Sequence, residues 1–185
     1  MVGAVPRLRV FWISGNDIAS GDYGGAVYSQ SVLRILVAAR PEWDITVMAP
    51  GPDERPANRR QHGLRQIVCV LKAAFGGPPA KALFSNYPAL RERINTASES
   101  AVPDLLVLDG PDVSLLAAPL IEKGVPFLLV VHNIEAQVFA DSIERLPRAG
   151  RLAMRLMGEP KKYRRFETDI AEKAQGLIHI SQEEM

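Results

Sequence analysis

Short apolar runs alternate with longer stretches of helical period along this chain, and this order constrains the fold more than any other feature. Such alternation is typical of βαβ units, in which a helix connects each strand to a parallel neighbour. The sequence therefore predicts an α/β domain with three layers and a mostly parallel, Rossmann-like sheet. The predicted strands are Leu8–Ser14, Asp44–Ala49, Gln66–Leu71, Asp104–Asp109, Pro126–Val131 and Gly176–Ile180.

Three stretches between these runs have the spacing of amphipathic helices. Gly25–Arg40 carries apolar residues at i, i+3, i+4 and i+7 and ends before a proline. Asp112–Lys123 has one apolar face and ends before a glycine. Pro79–Ser100 is predicted to be helical with a break before Pro88, because a proline disfavours helical backbone in the preceding residue. The polar segment Pro50–Gln61 is predicted to be a surface loop.

Composition limits the classes of protein to which the chain can belong. Its 185 residues are enough for one domain with a real core. The 22 basic and 21 acidic side chains nearly cancel, which argues against a protein that coats nucleic acid. The single cysteine, Cys69, lies in an apolar run and is predicted to be buried, which indicates a reducing compartment. No apolar run has the length of a signal peptide or a spanning helix, so the predicted location is the cytoplasm or the inner face of a membrane.

The polar residues that follow two predicted strands are the first candidates for a functional site. His132 and Asn133 come directly after the apolar run Val125–Val131, and Glu135 follows them closely. Asp109 ends the preceding predicted strand. Ligands of open parallel sheets bind in the crevice outside the carboxyl ends of the strands. We therefore expect these side chains at a cleft, although a histidine or aspartate also occurs as a hydrogen-bonded core residue.

A glycine-containing loop, Ser14–Gly25, joins the first predicted strand to the first predicted helix. Its last two residues are Gly24 and Gly25. Glycines at a helix start let backbone amides approach a ligand, and the helix dipole there favours an anion such as a phosphate. The loop lacks the spacing of the dinucleotide-binding and P-loop motifs, so a phosphate contact and a plain turn both stay open.

Three other polar residues fit structural roles better. Asp112 stands where it would cap the helix that follows it. His62 lies in a polar loop of the prediction, and His179 lies inside the last apolar strand. No group of His, Cys, Asp and Glu has the spacing of metal ligands, so no metal site is predicted.

Positive charge is concentrated in the segment Glu144–Arg165. Eight basic residues between Arg145 and Arg165 face only two glutamates, with leucines and methionines among them. A basic amphipathic segment of this kind fits an anionic lipid surface or an anionic substrate, and it also fits a solvated helix face. Few aromatic residues accompany these charges, so nucleic acid is not the expected partner.

The last residues of the chain have the pattern of a helix start. Ser181–Glu184 matches a capping box, in which a serine is followed three residues later by a glutamate. The chain stops at the next residue. A helix start without a helix behind it stabilises nothing, so we expect the 185 residues to be one domain of a longer polypeptide.

The order and separation of these features resemble the N-terminal domain of family 4 glycosyltransferases, which are retaining enzymes of the GT-B fold. The likeness covers nearly the whole chain. It includes the loop that ends in Gly24 and Gly25 and three later segments, Pro103–Gly110, Val130–Glu135 and Glu167–Ser181. The resemblance implies that residues 1–185 form the acceptor-side half of a two-domain enzyme.

The resemblance also implies a reaction and roles for the site residues. A sugar would pass from a nucleotide diphosphate sugar to the hydroxyl of a glycan or lipid-linked acceptor, with retention at the anomeric carbon, in cell-envelope or polysaccharide assembly. His132 would contact the donor sugar, and Gly24 and Gly25 would lie near the donor phosphates. Asp109 would contact the acceptor. No cofactor is implied beyond the donor, which is a substrate.

The second, nucleotide-binding domain of such enzymes has no counterpart in this sequence, so the chain alone is not expected to turn over. Two other functions stay open. One is a nucleotide-sugar epimerase, which shares the two-domain architecture. The other is a self-contained binding module without turnover.

Overall fold

Five parallel strands form the centre of the domain. The computed structural model describes residues 7–18, 24–51, 54, 59–131 and 135–179. The strands in these ranges are β1 (Arg9–Ser14), β2 (Asp44–Met48), β3 (Leu105–Asp109), β4 (Phe127–Val131) and β5 (Gly176–His179). They pair in the order β2-β1-β3-β4-β5, and every pairing is parallel. The predicted fold class, a Rossmann-like three-layer α/β domain, is confirmed.

Eight α-helices surround the sheet in the part of the chain that the structure describes. They are α1 (Gly24–Ala39), α2 (Arg59–Ala74), α3 (Ala80–Ser85), α4 (Pro88–Ser100), α5 (Ser114–Glu122), α6 (Glu135–Glu144), α7 (Arg148–Leu156) and α8 (Glu159–Lys173). A short 3₁₀ turn, Pro111–Val113, precedes α5. The break predicted before Pro88 is confirmed, because α3 ends at Ser85 and Pro88 begins α4. None of these helices has the length and apolar character needed to cross a membrane.

The two faces of the sheet are covered by different helices. In β1, Val10 and Trp12 are completely buried on one face, where α1 packs through Val32 and its neighbours. Phe11 and Ile13 are buried on the other face, against α4 and α5. Burial on both faces explains why the strands are nearly continuous apolar runs rather than alternating ones.

The strand predicted at Gln66–Leu71 is wrong, because these residues form the middle of α2. A short apolar run does not distinguish a strand from a helix by composition alone. Cys69 is buried in this helix, as predicted, while most of the apolar residues around it face outward. The predicted loop Pro50–Gln61 is also partly wrong, since α2 begins at Arg59. His62 therefore lies on a helix rather than in a loop.

The strand order creates a crevice at one edge of the sheet. From β1 the chain crosses to β2 on one side, and from β3 it crosses to β4 on the other side. The two connections diverge, which leaves space outside the carboxyl ends of β1 and β3, where open α/β sheets bind ligands. Ser14 and Asp109 are the last residues of these strands and are partners in the register.

The last described strand, β5, ends at His179, which lies inside a strand as predicted. The predicted capping box Ser181–Glu184 lies outside the described residues. The expectation of a longer polypeptide therefore stays a prediction.

Candidate functional site

A polar pocket of about 280 Å³ lies in the crevice at the carboxyl ends of the strands. We call it the strand-end pocket. Residues that follow β1, β3 and β4 line one part of it, and residues of α3 line another. Its polar lining residues are Asn16, Lys81, Ser85, Asp109, Asp112 and Glu135.

Two glycines shape the wall of this pocket. A Cβ atom added to Gly15 would lie 3.2 Å from the Cγ1 atom of Val113, which is tighter than ordinary van der Waals contact. Gly110 has a φ of 97°, a conformation that side chains with a Cβ rarely adopt. The sharp turn after β3 therefore favours glycine at position 110, and a larger residue at position 15 would require Val113 to shift.

Lys81 connects three other polar side chains beside the pocket. Its ammonium group donates a hydrogen bond to Glu135 Oε2 and another to the Tyr163 hydroxyl at 3.1 Å. The same nitrogen lies 3.3 Å from Asp112 Oδ2. The Tyr163 hydroxyl in turn donates to Asp112 Oδ1 at 2.6 Å. We call these four residues the Lys81 cluster; each comes from a different element of the fold.

Burial changes the proton affinity of two members of this cluster. It raises the pKa of the Asp112 carboxyl above its usual value, while Lys81 and the Tyr163 hydroxyl partly oppose the shift. It also raises the pKa of the Tyr163 phenol, and the nearby Asp112 carboxylate adds to this effect. Tyr163 therefore remains a hydrogen-bond donor throughout the physiological pH range.

One face of α8 holds the helices that carry the cluster. Glu159 Oε2 accepts the Ala80 amide at 2.8 Å, at the start of α3. Glu167 accepts the Glu135 and Ala136 amides at 2.9 and 3.0 Å, at the start of α6. These carboxylates satisfy amides that a helix start leaves unpaired, and their charge complements the helix dipole. Burial nevertheless raises the pKa of the Glu167 carboxyl.

Asp109 reaches the pocket, but serines hold its carboxylate. The residue is only 5% exposed. Its Oδ2 atom accepts a hydrogen bond from Ser14 Oγ at 2.7 Å, and Ser29 Oγ lies 2.9 and 2.8 Å from its Oδ1 and Oδ2 atoms. The side chain thus joins β1, α1 and β3 at the point where the crevice opens.

The structure brings only some of the predicted site residues together. Glu135 and Asp109 line the strand-end pocket, as expected for residues at the carboxyl ends of strands. Gly24 and Gly25 are the first two residues of α1. His132 and Asn133 lie outside the described residues, so their roles stay predictions.

The capping role predicted for Asp112 is wrong. The residue lies within the 3₁₀ turn, and α5 begins without a side-chain cap. Its carboxylate points instead to Lys81 and Tyr163. The sequence pattern could not indicate this role, because Lys81 of α3 and Tyr163 of α8 are both far from Asp112 along the chain.

Sequence reasoning missed Lys81, Tyr163 and the two capping glutamates. The sequence carries a signal for the three residues of α8 but not for Lys81. Glu159, Tyr163 and Glu167 are spaced at i, i+4 and i+8, which places them on one face of a helix. Glu159 and Tyr163 are completely buried on that face. Polar residues at this spacing on an amphipathic helix indicate a face that makes polar contacts within the fold, here to two helix starts and to Asp112.

The basic segment Arg145–Arg165 is divided between α7, α8 and the turns before them. Arg155 donates to Glu144 Oε1 at 2.6 Å, and Arg151 lies 3.8 Å from Glu144 Oε2. Lys162 donates to the Ala73 carbonyl of α2 at 2.7 Å. Some basic side chains of the segment are therefore paired with acceptors within the domain.

An apolar cavity of about 370 Å³ lies between α2, α3, α6 and α7. Its wall includes Cys69, Phe139, Ile143 and Met154. Lys81 lines both this cavity and the strand-end pocket. Burial raises the pKa of the Cys69 thiol, so the thiolate is disfavoured and the residue is a poor nucleophile.

Among the described residues, no group of His, Cys, Asp and Glu is arranged to hold a metal ion. No protein-family model, curated protein or solved structure matches this chain.

Proposed function

We propose that this chain is the acceptor-side domain of a retaining glycosyltransferase of the GT-B fold. The reaction moves a sugar from a nucleotide diphosphate sugar to an acceptor hydroxyl, in cell-envelope or polysaccharide assembly. The observation that carries the proposal is the strand-end pocket, whose polar lining and place at the topological switch suit a small hydroxyl-rich ligand. Its volume of about 280 Å³ is close to the lower end of the range for small-molecule sites, about 300 Å³.

The charges of this pocket favour a hydroxyl-rich acceptor over an anion. Asp109, Asp112 and Glu135 contribute carboxyl groups, and Lys81 contributes one ammonium group. Carboxylate oxygens accept hydrogen bonds from sugar hydroxyls and repel phosphate. In the proposal, the pocket therefore holds the acceptor, and the donor phosphates bind elsewhere, near Gly24 and the partner domain.

The proposed chemistry replaces one bond at the anomeric carbon. The bond to the nucleotide phosphate oxygen breaks, and a bond to the acceptor oxygen forms on the same face of the sugar. The proton of the acceptor hydroxyl passes to the departing phosphate oxygen, so the products are the glycoside and the nucleotide diphosphate. His132 orients the donor sugar through a hydrogen bond, a positioning role worth about 10²-fold in rate. The Gly24 and Gly25 amides stabilise the departing phosphate charge.

The transfer reaction is tested with the complete gene product, a panel of nucleotide diphosphate sugars and neutral or lipid-linked glycan acceptors. The expected result is a glycosylated acceptor, with turnover about 10²-fold lower in His132→Ala. His62→Ala, on the exposed part of α2, is the matched control and should keep full activity. Equal loss of melting temperature and activity in His132→Ala would contradict the proposed role, because the histidine would then be a core residue.

A binding module without turnover is the second candidate. The members of the Lys81 cluster already pair with one another, which is typical of groups that maintain structure. Saturable binding of a methyl glycoside, with no product from any nucleotide sugar, would favour this candidate. A nucleotide sugar isomerised without an acceptor would instead favour an epimerase.

Asn16 offers a test specific to acceptor binding. It lines the pocket, and its side chain is exposed, so Asn16→Ala should not alter the free energy of unfolding. The proposal predicts a higher KM for the acceptor and an unchanged KM for the donor. A change confined to the donor KM would place the acceptor outside this pocket.

A further inference from the structure

The outer face of α2 carries a stripe of apolar side chains in contact with solvent. We call these residues the α2 stripe: Leu64, Ile67, Val68, Leu71 and Phe75. They are spaced at i, i+3, i+4, i+7 and i+11, and Phe75 continues the last turn through a hydrogen bond from its amide to the Leu71 carbonyl. Their exposed fractions run from 48% to 89%. The opposite face holds small buried residues, Cys69 and Ala73.

The exposure of this stripe contrasts with the burial of the apolar face of α4. In α4, Leu90 and Ile94 form a stripe of the same kind and are completely buried against the sheet. A helix normally places its apolar side toward the core. Contiguous apolar surface left in solvent marks a site of interaction.

The charges of α2 indicate what covers the stripe. From Arg59 to Ala74 the helix contains arginines and a lysine and no aspartate or glutamate. Arg60 lies on the exposed face before the stripe, and Lys72 lies beside it. By contrast, the exposed side of α4 mixes arginines and glutamates. A helix with an apolar face bordered only by positive charge suits a surface of apolar chains beneath anionic groups.

The apolar surface extends beyond α2. Phe75, Pro78 and Leu83 line an open depression of about 500 Å³ together with Val68 and Leu71. Phe75 is the most exposed large apolar residue of the described chain, at 89%. The surface therefore ends in an aromatic side chain next to a shallow apolar hollow.

We infer that the α2 stripe docks this protein on an anionic lipid surface. The apolar side chains enter the boundary between headgroups and acyl chains, while Arg60 and Lys72 contact the anionic headgroups. Lysine and arginine stems are long enough to keep their charges at the headgroups while the apolar residues are buried. The inference does not depend on glycosyl transfer, and it differs from the expectation placed on Arg145–Arg165.

α7 is a weaker candidate for the same role. It also lacks acidic residues and exposes Leu152 and Leu156. However, Arg151 and Arg155 both interact with Glu144, which offsets their charge. The docking surface is therefore assigned to α2, with α7 as an auxiliary contact at most.

The inference is tested by co-sedimentation with vesicles of phosphatidylcholine alone and of phosphatidylcholine mixed with phosphatidylglycerol. The unchanged chain should bind the mixed vesicles and bind less as salt rises. Ile67→Gln should weaken this binding about ten-fold, because one buried aliphatic side chain is lost. Ile35→Gln is the matched control, since Ile35 is 66% exposed on α1 and Ile67 is 58% exposed on α2.

The contribution of the basic residues to vesicle binding and the insertion of the stripe into the lipid are measured with separate variants. Arg60→Glu with Lys72→Glu should abolish the preference for anionic vesicles, and Arg151→Glu with Arg155→Glu should have a smaller effect. In Phe75→Trp, the emission of the new tryptophan should shift to the blue on addition of mixed vesicles. Melting temperatures of all variants show whether each is folded.

Three results would overturn the inference. The first is equal binding to both kinds of vesicle, which would remove the role of charge. The second is an equal loss of binding in Ile35→Gln, which would remove the role of α2. The third is no vesicle binding together with self-association that Ile67→Gln abolishes, which would make the stripe an interface between copies of the chain. None of these results bears on sugar transfer, which is measured independently.

Discussion

The Lys81 cluster and the α2 stripe differ in what surrounds their side chains. In the cluster, one ammonium group, two carboxyl groups and a phenol are mutually hydrogen-bonded or paired, and four separate elements supply them. In the stripe, five apolar side chains from one helix and the turn after it face solvent. The side chains of the cluster are thus paired within the domain, whereas those of the stripe are open to solvent.

This difference separates side chains whose removal should destabilise the fold from side chains whose removal should leave the fold intact. Changes in the cluster should lower stability strongly, because each removed group leaves a buried partner unpaired. Changes in the stripe should leave stability nearly unaltered and act only on binding. The following predictions measure how sharply the two regions differ.

The largest effect is expected for Lys81→Met. This change removes the cation shared by Asp112 and Glu135 and leaves two carboxyl groups close together, at a cost of about 3 kcal/mol. The matched control is Lys72→Met on α2, which should change stability by less than about 0.5 kcal/mol. Urea unfolding of the unchanged protein and of the two variants measures both changes in the free energy of unfolding. Similar losses for the two lysines would show that the cluster and the α2 face do not differ in this way.

Tyr163→Phe should have the next largest effect. The change keeps the ring and removes the hydroxyl that donates to Asp112 at 2.6 Å. A lost hydrogen bond to a buried charged group costs about 2 kcal/mol. Urea unfolding measures the difference, and an unchanged midpoint would mean that water replaces the hydroxyl.

Ser29→Ala removes a donor to the buried carboxylate of Asp109 and should cost about 1.5 kcal/mol. Ser31→Ala is the control on the same helix, because its hydroxyl donates to the Val27 carbonyl one turn earlier and the residue is exposed. That control should change stability by less than about 0.5 kcal/mol. Equal thermal shifts for the two variants would argue against a structural role for the Asp109 contacts.

The stability of the cluster should depend on pH through Asp112. Because burial raises its pKa in the folded state, the folded protein binds this proton more tightly than the unfolded chain. The contribution is fully present below the ordinary aspartate value of 3.8 and is lost as pH rises through the folded pKa.

The measurement compares the unchanged protein with Asp112→Asn in urea at a series of pH values. The stability of the unchanged protein relative to the variant should fall as pH rises through this range. The comparison cancels the titration of carboxyl groups that do not interact with Asp112. A relative stability that grows with pH would mean that Lys81 outweighs burial in setting this pKa.

The smallest effect is expected for Ile67→Ala in the α2 stripe. The side chain is more than half exposed, so its removal should change the free energy of unfolding by less than about 0.5 kcal/mol. Chemical unfolding in dilute protein solution measures it. A loss of several kcal/mol would mean that the stripe is covered in solution even without lipid.

Much of the fold was predictable because its signals are local. Residues 105–108 of β3 and all of β4 (Phe127–Val131) are apolar, since strands covered on both faces need no polar residues. The proline at position 88 marked a helix boundary by its own stereochemistry. The run at Gln66–Leu71 was misread because its apolar residues fit a strand and a helix equally well.

The candidate site was predictable only in part. The position of Asp109 and Glu135 at the strand-end pocket is predictable, because they follow strands and strand ends meet at one edge of a parallel sheet; their roles stay predictions. Lys81 was not found, because no local pattern distinguishes it from other lysines on amphipathic helices. Its partners Asp112 and Tyr163 are distant in sequence, and only packing brings them together.

The sequence by itself determined the α/β class, most strand positions and the edge at which polar residues collect, because hydrophobic period and turn chemistry are properties of neighbouring residues. Only the tertiary structure decided which polar residues meet there and which apolar face stays in solvent. Both depend on contacts between elements far apart in the chain. Apolar residues recur at helical spacing in both α2 and α4. The apolar face of α4 covers the sheet, whereas that of α2 faces solvent.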